Sequence, residues 1–162
     1  MSNEDNIPVG ISYSGGSSSE HLIQMVLEGV IPRPEHLAVF SADTGGEHEW
    51  TYEAMDEVEA RCKVAGIPFI RCRDEKDTLG GSLIAIKRDG RTRAEHPPLW
   101  VAKDGGGRGR IGHRCTYHFK IAPMRRAMSA WLRSIDKPKK IEEWVGFGKD
   151  ESHRAMKSVA QQ

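Results

Sequence analysis

Short apolar runs alternate with segments of helical periodicity along the first 72 residues. The runs Ile7–Tyr13, Leu37–Phe40 and Ile67–Cys72 have the length and residue types of buried strands. Between them, apolar residues recur every three or four positions over Ser18–Glu28 and again over residues 49–65, which is typical of helices packed on one face. The order strand, helix, strand, helix, strand predicts right-handed βαβ units and a parallel sheet.

Two further elements are expected in the second half of the chain. Phe119–Leu132 places its apolar side chains on one helical face, and Ile141–Phe147 has the pattern of another strand. Asp150–Val159 has the pattern of a short terminal helix. The segment 103–113 contains five glycines with arginines between them and predicts a flexible binding loop.

A glycine- and serine-rich turn separates the first predicted strand from the first predicted helix. It reads Ser-Gly-Gly-Ser-Ser-Ser over residues 14–19. Glycine lets the backbone turn sharply and approach an anion, and a helix N-terminus supplies N–H groups and a positive dipole end. A second turn, Asp43-Thr44-Gly45, follows the second strand. Ligands of open parallel sheets bind at this edge, so the two turns together predict a nucleotide cleft. Residues 14–19 alone also suit an ordinary turn with a serine N-cap.

Charge is distributed unevenly along the 162 residues, although the net charge is only +1. Residues 1–60 carry twelve acidic side chains against one basic side chain, and residues 103–140 carry eleven basic against two acidic ones. A basic segment of this kind indicates a polyanionic ligand, either nucleotide phosphates or a nucleic acid.

The cysteine pattern and hydropathy indicate a cytoplasmic protein. Cys62, Cys72 and Cys115 are odd in number and widely spaced, which argues against a disulfide framework. Cys62 and Cys72 have the pattern of core residues. The chain contains no apolar stretch of membrane-spanning length, so no membrane association is expected.

Four blocks, in order, resemble the phosphoadenosine phosphosulfate reductase family, in particular its small phage and bacterial members. They are residues 14–19, Phe40–Gly45, the segment 114–125 with Cys-Thr, Lys-Ile and Pro, and the segment 144–154 with Trp-Val-Gly and Asp-Glu. This family belongs to the adenine-nucleotide alpha-hydrolase superfamily, with the PP-loop ATP pyrophosphatases. The resemblance implies one nucleotide-binding α/β domain over residues 1–162. Its fold would be three-layered and Rossmann-like, with a mostly parallel five-stranded sheet.

The resemblance also implies a binding mode. The implied ligand is ATP or phosphoadenosine phosphosulfate, a Mg²⁺ ion is compatible with it, and no metal site of the protein's own is expected. The second substrate is open, a nucleic acid being one candidate, and a homodimer is compatible with the family. The residues implied in nucleotide binding are Ser14, Gly15, Gly16, Ser17, Ser18, Ser19, Asp43, Thr44, Gly45, Arg114, Lys120, Arg125 and Arg154.

Three residues are candidates for the chemistry: Asp43, Lys120 and Cys115. Cationic neighbours of Cys115 favour its thiolate as a nucleophile or sulfur carrier, although a packed core cysteine is the ordinary alternative. A zinc site with His113 and His118 offers only three ligands at poor spacing.

Two departures from the family bear on activity. Ser18 stands where the pyrophosphatases carry an aspartate, and the cysteine-containing tail of the reductases is absent from this sequence. We therefore expect an enzyme acting at the α-phosphate or sulfate side of the nucleotide, by substrate activation or sulfur transfer, rather than an assimilatory reductase. The alternative is a non-catalytic nucleotide- or nucleic-acid-binding protein.

Overall fold

The computed structural model describes residues 7–74, 78, 100–102, 105–110, 115–137 and 140–149. Within these ranges the chain forms six strands and three α-helices, the last preceded by a π-helical turn, Tyr117–Ile121. In chain order the elements are β1 (Val9–Tyr13), α1 (Ser17–Leu27), β2 (Leu37–Asp43), α2 (Glu49–Val64), β3 (Phe69–Arg73), β4 (Trp100–Ala102), β5 (Arg108–Arg110), α3 (Ala122–Ser134) and β6 (Glu142–Val145).

Four of the strands form a parallel sheet in the order β3–β2–β1–β6. β1 lies between its two neighbours, with Val9 in register with Leu37 of β2 and with Glu142 of β6. The chain moves from β1 outward to β3 and then returns to the opposite side of β1. The strand order therefore reverses beside β1, and the carboxyl ends of all four strands lie at one edge.

Side chains of β2 alternate between two hydrophobic clusters, one on each face of the sheet. Leu37 and Val39 belong to the cluster that includes residues of α1 and α2. Ala38 and Phe40 belong to the cluster that includes Met128, Trp131 and Leu132 of α3. Because consecutive strand residues point to opposite faces, a continuous apolar run is what a strand covered on both sides requires. Helices thus pack on both faces of a parallel sheet, and the predicted α/β class is confirmed.

The sheet shows four parallel strands in the part of the chain that the structure describes, and a fifth strand stays a prediction. The helix predicted over Asp150–Val159 lies outside the described residues. None of the described helices has the length and apolar character needed to span a membrane.

Two local features differ from the sequence expectations. Part of the predicted loop 103–113 forms an antiparallel hairpin, in which β5 pairs with β4. The predicted helix over Phe119–Leu132 begins as the π-helical turn and continues as α3. Pro123 explains the wide turn, since it has no N–H to donate to the carbonyl of Phe119.

Substituting Phe40 should show how strongly the α3 face supports the fold. Phe40 is fully buried, and its ring lies edge-on to Trp131 with centroids 5.7 Å apart. We expect Phe40→Ala to lower the free energy of unfolding by about 3–5 kcal/mol, because the side chain leaves a cavity. Val64→Ala is the control, since Val64 is 91% exposed and its loss should change little. Urea denaturation measures both, and equal losses would contradict the assignment of this core.

Candidate functional site

The loop after β1 is held by the side chain of Ser19, which is buried within it. The Ser19 hydroxyl donates to the Gly16 carbonyl at 2.9 Å and accepts from the Ser14 N–H at 3.3 Å. It also lies 3.3 Å from the Ser14 hydroxyl. The turn therefore keeps its shape through its own hydrogen bonds.

The first turn of α1 presents N–H groups that no side chain caps. Gly16 is the N-cap residue and lacks a capping side chain, and the first intrahelical bond runs from the Glu20 N–H to the Gly16 carbonyl at 3.1 Å. The N–H groups of Ser17, Ser18 and Ser19 precede that bond and have no acceptor in the helix. With the positive end of the helix dipole, they form a local field that favours an anion.

Two glycines, one within the loop and one after β6, allow close packing around the first turn of α1. Gly15 has φ +76°, in the left-handed region, and a Cβ there would lie 2.7 Å from Cγ2 of Thr51. Gly146, directly after β6, packs against the peptide between Ser18 and Ser19. A Cβ at Gly146 would lie 2.6 Å from the Ser18 carbonyl carbon and 2.7 Å from the Ser19 nitrogen. The end of β6 thus touches the first turn of α1 at the point where the strand order reverses.

An open cleft of about 570 Å³ borders this contact. Its volume lies within the range of small-molecule sites. An ion pair between Arg61 and Glu20, 2.6 Å apart, forms part of its wall, and Gln24 accepts from Arg61 at 2.7 Å. The cleft is lined by Ser17, Ser18, Glu20, His21, Gln24, Arg61 and Phe147. Ser17 and Ser18 were predicted as binding residues, whereas the others were not.

Asp43, at the end of β2, is a largely buried carboxylate with several partners. Its Oδ1 accepts from the Gly45 N–H at 2.8 Å and from the Tyr52 hydroxyl at 3.0 Å. Its Oδ2 lies 3.5 Å from the Arg73 guanidinium. Burial, followed by the hydrogen bond to Asp43, raises the pKa of Tyr52, so the tyrosine stays a donor at neutral pH. Among the described residues, this long contact to Arg73 is the only one that Oδ2 makes, so the oxygen retains acceptor capacity toward them.

Lys120 is brought to the same turn from a distant part of the sequence. Its Nζ lies 3.3 Å from Oε1 of Glu47, and the Thr44 hydroxyl donates to that oxygen at 2.9 Å. Glu47 thus joins two residues that were predicted separately. Because Glu47 follows Gly46 in an irregular segment, no periodic pattern marked it.

The remaining predicted residues have no described contact with the loop 14–19 or the Asp43 turn, or lie outside the described residues. Arg125 is exposed on α3, and among the described residues no polar contact joins its guanidinium to the loop 14–19 or to the Asp43 turn. Cys115 is half-buried and precedes the π-helical turn that carries Lys120. Arg114 and Arg154 lie outside the described residues, as does His113 of the considered zinc site. Within the described ranges, no group of three His, Cys, Asp or Glu side chains could hold a metal ion.

Sequence reasoning missed Tyr52 as a donor to Asp43 and Arg73 as its cationic neighbour. Arg73 had a usable signal, since it ends β3 at the same edge of the sheet as Asp43. The hydrogen bond from Tyr52 forms because the first turn of α2 lies over the end of β2. The sequence pattern does not predict that placement.

Comparison with known proteins found no match among protein-family models and none among curated proteins.

Gly15→Ala tests whether the loop depends on the close approach of Thr51. Gly66→Ala is the matched control, because Gly66 also has a positive φ of +65° but a Cβ there would meet no atom of the described residues within 4 Å. We expect Gly66→Ala to cost about 1–2 kcal/mol from the backbone conformation alone. Gly15→Ala should lower the free energy of unfolding by about 1–3 kcal/mol more than Gly66→Ala does, because the added methyl group overpacks the site. Thr51→Ser removes the clashing methyl group, and urea denaturation should show that it recovers part of this loss in the double variant. Equal costs at both glycines would contradict the close approach.

Thiol labelling tests the positions of the three cysteines. Burial raises the pKa of Cys72 to about 12 and also raises the pKa of Cys62. Since the thiolate is the reactive form, we expect iodoacetamide at about pH 8 to modify Cys115 in the native protein and to leave the other two intact. All three should react after unfolding, as measured by peptide mass spectrometry. Early native labelling of Cys72 would contradict its burial.

Proposed function

We propose that this protein is an adenine-nucleotide-binding enzyme similar to phosphoadenosine phosphosulfate reductases, acting at the α-phosphate or sulfate side of ATP or a sulfonucleotide. The observation that carries the proposal is the uncapped first turn of α1 beside the point where the strand order reverses. This is the place where open parallel sheets bind phosphate-bearing ligands.

The loop 14–19 would hold the phosphates or sulfate through its N–H groups. These N–H groups are held in place before the ligand arrives, because the Ser19 side chain is already hydrogen-bonded within the loop. Donors held in this way stabilise negative charge as it develops and need little reorganisation. With ATP, a nucleophile of the second substrate would attack the α-phosphorus and pyrophosphate would leave.

Asp43 and Lys120 have separate roles in this proposal. Lys120 is partly exposed and paired with Glu47, so an arriving phosphate would compete with that carboxylate for the ammonium group. Asp43 supports the turn through Gly45 and keeps Oδ2 for a substrate donor or a ligand-borne Mg²⁺. Both residues lie at the edge where the nucleotide is proposed to bind.

The alternative is a nucleotide-binding protein without turnover. Ser18 favours it, since a serine at the loop contributes no carboxylate to a magnesium–pyrophosphate complex. Under this alternative, ATP binds and no pyrophosphate, AMP or sulfur-containing product accumulates.

Calorimetric titration with ATP, AMP and phosphoadenosine phosphosulfate, with and without Mg²⁺, tests the proposal. The variant is Gly16→Asp. Position 16 can accept a side chain because its backbone is extended and a Cβ would make an ordinary contact of 3.5 Å with Oγ of Ser14. An aspartate at this N-cap should keep the helix stable while its charge repels the ligand. We expect nucleotide affinity to fall about tenfold or more.

Gly16→Asn is the matched control, since asparagine caps the helix equally well but is neutral. The proposal requires a clear difference between the two variants. Magnesium-dependent ATP binding would indicate the pyrophosphatase-like branch, and magnesium-independent binding of the sulfonucleotide would indicate the reductase-like branch. Absence of binding by the wild-type protein, or equal affinities of the two variants, would overturn the site.

A further inference from the structure

The hairpin of β4 and β5 displays an unusual set of residues on a two-stranded ribbon. Trp100 is in register with Arg110, and Ala102 with Arg108, whereas Val101 is opposite Gly109. Residues directly opposite one another share a face of an antiparallel ribbon, and neighbours along a strand alternate between faces. Trp100, Ala102 and Arg108 therefore lie on one face.

The apolar side chains of this hairpin remain accessible to solvent. Trp100 is 65% exposed and Val101 is 43% exposed. Together with Ala102 and Arg108 they line a cavity of about 420 Å³, separate from the cleft at α1. An accessible indole ring offers a flat aromatic face to a ligand.

Arg108 is available to bind an anion. Its side chain is exposed, and within the described part of the chain its guanidinium has neither an ion pair nor a hydrogen bond. It belongs to the basic segment 103–140, whose eleven basic residues outnumber its two acidic ones. The positive charge of this segment therefore favours a negatively charged partner over an apolar one.

The glycines at the tip leave the backbone open to close approach. Gly105, Gly106 and Gly107 all have positive φ values, between +89° and +92°, and no atom of the described residues lies within 4 Å of where a Cβ would stand. Glycine is required for this conformation, and the absence of side chains lets a phosphate backbone pass near the tip. Charge, accessible backbone and aromatic surface thus occur together.

We propose that this hairpin binds single-stranded nucleic acid. One base stacks on the Trp100 indole in the cavity, and Arg108 binds a neighbouring phosphate. Stacking of this kind requires an unpaired base, which favours a single strand over a duplex. A role of this nucleic acid as the second substrate rests on the proposed function. Binding of the nucleic acid to the hairpin does not.

Fluorescence anisotropy with labelled oligo(dT) and oligo(U) of about 12 nucleotides tests this proposal. The wild-type protein should bind, with affinity that falls as salt rises. Trp100→Ala should weaken binding about tenfold, and Trp100→Phe, which keeps a stacking ring, should recover most of the loss. Arg108→Gln should reduce the slope of log affinity against log salt by about 0.7, the contribution of one phosphate contact in a single strand.

Arg133→Gln is the matched control, because it removes one exposed charge of the same basic segment from α3 instead of the hairpin. It should leave the salt slope nearly unchanged. An equal effect of Arg133→Gln, wild-type affinity of Trp100→Ala, or tighter binding of a duplex of equal length would each overturn the proposal. Circular dichroism of every variant excludes loss of the fold as the cause.

Nucleotide titrations of the same variants separate the two proposals. Trp100→Ala and Arg108→Gln should bind ATP as the wild-type protein does, and Gly16→Asp should bind the oligonucleotide normally. Oligonucleotide binding in a protein that binds no nucleotide supports the hairpin proposal and overturns only the proposed function. ATP binding without oligonucleotide binding overturns only the hairpin proposal.

Discussion

The parallel pairing of β1 with β2 on one side and β6 on the other is the constraint on which the candidate site depends. Val9 is in register with the first residues of both neighbours, so the three strands run side by side and end at one edge. That edge receives the loop after β1, the Asp43 turn and Gly146. A change in the pairing of β6 would separate Gly146 from the first turn of α1, and the cleft would lose one of its walls.

Two polar arrangements lie at this edge and are stabilised differently. The loop 14–19 is held by short-range hydrogen bonds through Ser19, with backbone N–H groups left over. The Asp43 turn is held by side chains from other elements, with Tyr52 from α2 and Arg73 from β3. An anion that reached the loop would therefore need little rearrangement to bind there, whereas an anion that reached the turn would exchange existing ion pairs for new ones.

The two central strands could be predicted because burial on both faces leaves a distinct sequence pattern. Leu37–Phe40 was recognised as a strand from its continuous apolar run, yet β2 continues to Asp43. The extension includes Ser41, a buried polar residue in register with Arg71 of β3. Its place in the strand comes from backbone pairing with a neighbour, which the local pattern does not record. The hairpin was missed for a related reason, since its glycine-rich turn by itself resembles a flexible loop.

The sequence by itself determined the helices and strands of the first half, the glycine turn before α1, and Cys62 and Cys72 as core residues. These follow from local sterics and hydrophobic periodicity, which act between residues close in the chain. Only the tertiary structure decided that Glu47 holds Lys120, that Tyr52 donates to Asp43, and that Gly146 rests on the Ser18 peptide. The reason is that each of these contacts joins separate elements, and their meeting depends on strand order and helix placement across the whole sheet.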